Sequence, residues 1–340
     1  MTSTDRGAIG PSALAARRRV DIGLALEREG DPAGAAACYA AAVEADPDWP
    51  EARFLLAGAE AAAGRRESAI AGYRAYLAAV PEDTLGAAAR LALLGAAAPE
   101  RLPVEHVRRL FDAYAHRFDA DLVDGLGYRA PQVLRALWES LPDRPARPVT
   151  GLDLGCGTGL GGAAFADCAE ALDGIDLSSA MLARARARGL YRRLERGDLT
   201  VPPAPAPDAP AWRYDLVLAA DALPYLGDLS PALRAAAAAL VPRGHLLASL
   251  EDGGEAPGWS LGPGQRYRHA LGYVAEASAA AGFEVAAVER VPLRREGGAA
   301  VAGLFVALRR LPSREAADET AQPAARQARR ASTAGRYRVR

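Results

Sequence analysis

Leu152-Asp153-Leu154-Gly155-Cys156-Gly157-Thr158-Gly159 is the stretch on which the fold turns. It is the end of a short apolar run, Pro148-Val149-Thr150-Gly151-Leu152-Asp153-Leu154, closed by three glycines at alternate positions. The run suits a buried strand, and the glycines permit a tight turn with close ligand approach to the backbone. A helical stretch is predicted over Leu160 to Leu172. A second short strand, Leu172 to Asp176, then ends in an acid, and a helix runs from Ser179 through Arg188. Further on, Tyr214 to Ala220 reads as a buried strand, Pro231 to Leu240 as a helix and Gly244 to Leu250 as a strand. A helix from Tyr267 to Ala281 and a closing strand pair, Phe283 to Arg290 and Gly303 to Arg309, complete the pattern. Strands alternating with helices imply a mostly parallel sheet covered on both faces, with an antiparallel edge at the end.

In such a sheet the ligand sits beyond the carboxyl ends of the strands, where the strand order reverses. The glycine turn falls there. Asp176, ending the next strand, is placed to accept hydrogen bonds from two ribose hydroxyls. A nicotinamide site wants G-x-G-x-x-G, whereas here the spacing is G-x-G-x-G and Leu160 stands in the third glycine's place, which argues against an oxidoreductase.

On these residues the stretch 150–200 resembles a class I S-adenosylmethionine-dependent methyltransferase. The match consists of D-x-G-C-G-T-G, then Gly174-Ile175-Asp176-Leu177-Ser178 with Met181 following, then Gly197-Asp198-Leu199. The resemblance implies S-adenosyl-L-methionine as cofactor on an α/β Rossmann-like domain with a seven-stranded mixed sheet. It implies contacts from Asp153, Gly155, Cys156, Gly157 and Gly159 to the amino-acid part of the cofactor. Asp176 would lie at the ribose, Asp198 at the adenine amino group, and Met181 and Leu199 on either side of the adenine, with Leu177 a further cofactor contact. A helix over Phe111 to Phe118 would cover the cofactor, with Tyr114 and Phe118 facing it.

The front of the chain repeats itself. A shift of 34 residues aligns Gly30 with Gly64, Ala35 with Ala69, Tyr39 with Tyr73 and Pro47 with Pro81. In each copy a helix ends at the glycine, a second runs through the tyrosine, and a proline stops it. Period and pattern resemble the tetratricopeptide repeat, with Thr84 to Leu94 as a capping helix. The resemblance implies an all-α repeat domain and a concave surface for a partner peptide. With the segment Leu110 to Pro131, the layout resembles bacterial predicted methyltransferases with N-terminal tetratricopeptide repeats. The expected domains are 16–96 for the repeats, 97–104 for a linker and 105–310 for the methyltransferase, of which 105–148 is a helical cap. Residues 1–15 and the basic stretch 311–340 are expected to be disordered. The latter carries six arginines and no acid from Arg326 to Arg340.

Composition narrows the chemistry. Of 340 residues, the 41 basic ones are all arginine, so Schiff-base chemistry and the lysine of a phosphate-binding loop are excluded. The net charge of -1 sets up no general attraction to nucleic acid or membrane. Three scattered cysteines and four scattered histidines suggest neither a disulfide framework nor a metal site. No apolar stretch reads as a signal or membrane segment, and a cytoplasmic protein is expected.

Methyl transfer needs an acceptor placed in line, and a base only where the acceptor must lose a proton. Asp221, Tyr267 and His269 are the candidates for catalysis. Tyr225, Arg266, Tyr267 and His269 are the candidates for acceptor binding, the last three from Gln265-Arg266-Tyr267-Arg268-His269 opening a helix. After the fourth strand, Ala220-Asp221-Ala222-Leu223-Pro224-Tyr225 lacks the Asn/Asp-Pro-Pro-Tyr/Phe tetrad of base methylation. That favours a small-molecule or protein acceptor over nucleic acid. The alternative is a non-catalytic interaction protein whose repeats recruit a partner and whose second domain is a scaffold.

Overall fold

A computed structural model describes residues 11–96, 98–201 and 214–312. The chain divides into two compact units. One takes in the residues up to Tyr114 with Tyr225–Asp228 and Trp259–Arg268. The other takes in Ala115–Pro224, Leu229–Gly258 and the residues from His269 onward.

The first unit opens with helices α1 (Pro11–Arg28), α2 (Pro32–Ala45), α3 (Pro50–Ala62), α4 (Arg66–Ala79), α5 (Ala87–Leu93) and α6 (Val104–Tyr114). Helices α1 to α5 pack consecutively. Each repeat boundary is written in local chemistry. Gly30 (φ +80°) and Gly64 (φ +78°) adopt the left-handed conformation that ends a helix. Asp31 then caps α2 by accepting from the Gly34 amide at 2.9 Å, with Pro32 in the first turn. The repeating tyrosines are the core. Tyr39 is fully buried against Gly23, where a Cβ would strike its ring, and Tyr73 is buried with Phe54 edge-on at 5.3 Å. The half-repeat α5 is held by Asp83, which accepts from the Ala87 and Ala88 amides at 2.6 and 2.9 Å. In the same unit Leu102 N–H donates to the Tyr225 carbonyl at 2.9 Å, so the stretch after the repeats is pinned by backbone pairing.

The second unit is built on a sheet. Its strands are β1 (Val149–Leu154), β2 (Ala169–Asp176), β3 (Arg193–Arg196), β4 (Tyr214–Ala219) and β5 (Leu240–Asp252), followed by β8 (Phe283–Glu296) and β9 (Ala299–Arg310). The order is β3-β2-β1-β4-β5-β9-β8. The first five are parallel and β9 is antiparallel to both neighbours, which makes the expected seven-stranded mixed sheet. Two three-residue strands, β6 (Trp259–Leu261) and β7 (Tyr267–His269), fall almost wholly in the first unit, which takes in Trp259–Arg268. Strand β4 is buried at every position, as a central parallel strand must be. Helices α7 (Ala130–Ser140), α8 (Leu160–Phe165), α9 (Ser179–Ala187), α10 (Ser230–Ala239) and α11 (Leu271–Ala280) complete the unit. Leu134 and Trp138 of α7 and Phe165 of α8 form one core with Leu216, Leu218, Leu247 and Phe305 of the sheet. Gly297 (φ +54°) and Gly298 (φ +82°) form the two-residue turn between β8 and β9.

Four sequence expectations are corrected. Residues 11–15, expected to be disordered, form the first turn of helix α1. The helix predicted to Leu172 ends at Phe165, and Ala169 already pairs with Val149 as the start of β2. An alanine-rich segment favours a helix locally, but pairing with β1 overrides that preference. The residues from Gln265 to His269 do not open a helix. Gln265 (φ +55°) leaves a turn in which its N–H donates to the Gly262 carbonyl, Tyr267–His269 is strand β7, and the helix starts at Leu271. The single helix over Phe111 to Phe118 is broken at Tyr114, and Phe118 packs on the sheet core. The arginine-rich end lies outside the described residues.

Candidate functional site

Neighbours β2 and β4 flank β1, and their connections run to opposite sides, so the crevice at the strand ends opens above β1. The glycine turn occupies it. Gly155 (φ +68°), Gly157 (φ +53°) and Gly159 (φ +93°) all take the left-handed conformation. The amides of Gly155 and Cys156 donate to the Ile175 carbonyl at 2.8 and 3.0 Å, which ties the turn to the end of β2. A Cβ on Gly155 would lie 2.5 Å from that of Ala222, whereas one on Gly157 would meet nothing within 4 Å. The turn is therefore packed on one side and open on the other.

Asp176 stands at the end of β2 beside that open side. Its Oδ2 accepts from the Gly157 amide at 2.9 Å and its Oδ1 from the Ser178 amide at 2.8 Å. The two backbone bonds fix the carboxylate's orientation. Ser178 also caps α9 by accepting from Met181 N–H at 3.1 Å, so Met181, fully buried, is held at the first turn. The Gly197 amide donates to the Asp176 carbonyl at 3.1 Å, which brings the end of β3 alongside. There Asp198 Oδ1 accepts from the amide and hydroxyl of Thr200, at 2.9 and 2.8 Å. Leu199 reaches toward the Gly155 side of the turn.

Asp153 sits beneath the turn. It is buried, accepts from the Tyr191 hydroxyl at 2.7 Å, and lies under Gly161. Burial pushes its carboxyl up to about 6, against the pull of the Tyr191 and Gly162 donors. Tyr191 fills the space that the glycines leave. A Cβ on Gly162 would collide with its hydroxyl, and one on Gly159 or Gly174 would lie 3.0 or 3.1 Å from its ring. Tyr191 belongs to no motif, and its only signal in the sequence is a lone tyrosine opposite three glycines. Cys156 is buried and its thiol is pushed up by burial, so it stays protonated.

The candidates for catalysis and acceptor binding separate. Asp221 follows β4 in a left-handed conformation (φ +60°), unusual without glycine. Its amide donates to the buried Ser249 hydroxyl at 2.8 Å, and its carboxylate lies 3.9 Å from Arg294. Arg294, buried on β8, bonds Glu251 and Glu296 at 2.6 Å each. This charged cluster at the ends of β4 and β5 escaped the sequence reading, since its arginine arrives from a strand late in the chain. His269 is buried and stacked on Tyr273, with ring centroids 5.9 Å apart. The other candidates, Tyr114, Tyr225, Arg266 and Tyr267, belong to the first unit. There Arg266 lies over the Tyr225 ring and donates to its hydroxyl at 3.0 Å, while Phe111 meets that ring edge-on. Tyr267 is buried, donates its hydroxyl to the Pro99 carbonyl at 2.5 Å, and is pushed up to about 12 by burial. Among the described residues no group of His, Cys, Asp and Glu gathers as metal ligands would, and no helix is long and apolar enough to cross a membrane.

Residues 152–246 match a family described as a methyltransferase domain, and residues 16–59 match the tetratricopeptide repeat. The chain carries the class I S-adenosylmethionine methyltransferase fold behind a tetratricopeptide-repeat region. The human methyltransferase-like protein 27 is 38% identical over 115 residues; that methyltransferase match covers 33% of this chain and 45% of the relative. Among solved structures, the methyltransferase fold is similar to the 1,6-didemethyltoxoflavin-N1-methyltransferase of Burkholderia thailandensis, solved with bound 1,6-didemethyltoxoflavin and S-adenosylhomocysteine. That likeness has 20% identity and a TM-score of 0.49, and covers 64% of this chain and 94% of that one. An S-adenosylmethionine-dependent methyltransferase from Mesorhizobium loti is 27% identical with a TM-score of 0.40, over 53% of this chain and 96% of that one.

Proposed function

We propose that the chain binds S-adenosylmethionine at the glycine turn and transfers its methyl group to a small-molecule or protein acceptor. One observation carries the reading: Asp176 is held by the Gly157 and Ser178 amides beside a turn whose open face has room above Gly157. The donor set fits the cofactor. Asp176 accepts from the ribose hydroxyls, the Gly155 to Gly157 backbone meets the amino-acid portion, and Met181, Leu177 and Leu199 supply the apolar surroundings of the adenosine. Asp198 accepts from the adenine amino group. Asp153 and Gly159 support the turn from below and from its exit.

The cofactor supplies a sulfonium methyl group, so the chain's task is placement rather than activation. Asp221 is the residue we assign to the acceptor side, as a carboxylate held at the end of β4 that orients the acceptor and takes its proton where one must leave. Tyr267 already gives its hydroxyl to Pro99 and His269 is packed on Tyr273, so both are assigned to support. Tyr225 and Arg266 are bonded to each other within the first unit, and the repeats are assigned to docking a protein partner. Calorimetry on the full chain tests the reading. S-adenosylhomocysteine should bind to the wild type and be lost on Asp176→Ala with the fold retained. No heat from the folded wild type with either form of the cofactor would end it.

A further inference from the structure

Thr158, at the tip of the glycine turn, is 2% exposed although it is polar. Its hydroxyl donates to Asp119 Oδ1 at 2.5 Å, and its carbonyl accepts from Arg188 Nε at 2.6 Å. The loop is closed by Arg188 Nη2, which donates to the other oxygen of Asp119 at 2.5 Å. Asp119 thus holds the turn with one oxygen and, with the other, the guanidinium that holds the same residue's carbonyl. Both partners come from outside the methyltransferase motif: Arg188 follows α9, and Asp119 immediately precedes a π-helical turn, Ala120–Gly125. Such turns are rare and concentrate at functional sites. The segment is fastened at two further points. Arg184 donates to the His116 carbonyl at 3.4 Å, and Leu122 is buried in the sheet core.

We propose that residues 116–127 form a strap across the glycine turn, with Asp119 and Arg188 as positioning residues for the cofactor. They act through Thr158. The Thr158 peptide lies between two left-handed glycines in a turn that a single local backbone bond closes, from the Gly159 amide to the Cys156 carbonyl at 2.8 Å, and the strap adds restraint at the side chain and carbonyl of Thr158. Gly157, next in line, aims its amide at Asp176. Holding Thr158 at both its hydroxyl and its carbonyl therefore keeps the Asp176 carboxylate and the turn in the conformation that receives the ligand. The strap orders the turn before binding, and its loss appears as weaker and shorter-lived cofactor binding. The bonds to buried Thr158 carry the linkage, and the half-exposed Asp119–Arg188 pair orients them rather than supplying their strength.

This rests on the cofactor reading above, and the test separates the two. The full chain and its Asp119→Ala, Asp119→Asn and Thr158→Val variants are titrated with S-adenosylhomocysteine, and the ligand-free melting temperature of each is recorded. Asp119→Ala should raise the Kd by about tenfold, mostly through faster dissociation. Asp119→Asn, which keeps an acceptor for Thr158 and loses the ionic bond to Arg188, should fall between. Amide exchange in 116–127 should slow on ligand binding in the wild type and not in Asp119→Ala. Combining Asp119→Ala with Thr158→Val should cost less than the sum of the two, because both break one linkage. If Asp119→Ala does not fold, Asp119→Asn and Arg188→Gln carry the comparison. Variants that lower the melting temperature but leave Kd, dissociation and exchange as in the wild type would refute the strap alone. A folded wild type that binds no S-adenosylhomocysteine would remove the cofactor reading and the strap with it.

Discussion

Replacing Tyr191 with phenylalanine removes one hydroxyl and no packing, and the buried Asp153 beneath the glycine turn is where the loss is felt. Asp153 is 1% exposed, and its carboxyl is pushed from the ordinary 3.8 up to about 6 by burial. A folded-state value above the unfolded one means the folded chain binds more protons between those limits. Stability from this group is therefore complete at low pH, falls as pH rises from about 4 to about 6, and stays reduced above that. The two-unit gap corresponds to about 3 kcal/mol at 1.36 kcal/mol per unit. The Tyr191 hydroxyl, donating at 2.7 Å, keeps that penalty from being larger. Its removal takes a hydrogen bond from a buried charge, a loss of about 2 kcal/mol at pH 8. At pH 5 the carboxyl is mostly neutral and the loss should shrink to about 1 kcal/mol. Urea unfolding of wild type and Tyr191→Phe at both pH values measures the difference, and the same pair in an Asp153→Asn background removes the titrating group. An equal loss at pH 5 and pH 8, or a pH-dependent loss that survives Asp153→Asn, would show that the hydroxyl does not serve this carboxylate.

Gly162→Ala would put a Cβ against the Tyr191 hydroxyl, and Tyr191 is held in place by Asp153. A loss of about 1–3 kcal/mol is expected in thermal unfolding, and an unchanged melting temperature would mean the tyrosine is free to move. Gly23→Ala should cost a similar amount, about 1–3 kcal/mol, because its Cβ meets the buried Tyr39 ring. Faster amide exchange confined to α1 and α2 would locate that damage in the first repeat.

The repeats and the glycine turn were legible because their chemistry is local. A glycine that must exit a helix at positive φ, a proline that stops the next one, and three glycines after a buried strand each act on their own neighbours. The 34-residue period and the acids Asp176 and Asp198 carried the fold and the cofactor side of the candidate site in the same way. What residues do across sequence distance stayed hidden. Asp153 reads as a ligand contact from its position in the motif, yet its carboxylate points into a pocket closed by Tyr191, a partner 38 residues away that no motif announces. Asp119 and Arg188 meet at Thr158 from opposite sides of the motif, and Arg294 reaches Glu251 only because antiparallel β9 lays β8 back over the end of β5. The segment from Ala166 to Leu172 and the start of β7 went astray for the same reason: alanine content speaks for helix, and only a neighbouring strand can overrule it. Local chain conformation and the spacing of strand-end acids were thus set by sequence alone. Which buried charge is paired, by whom and at what cost in protonation was decided by the tertiary structure, because burial and partner distance exist only once the strands are side by side.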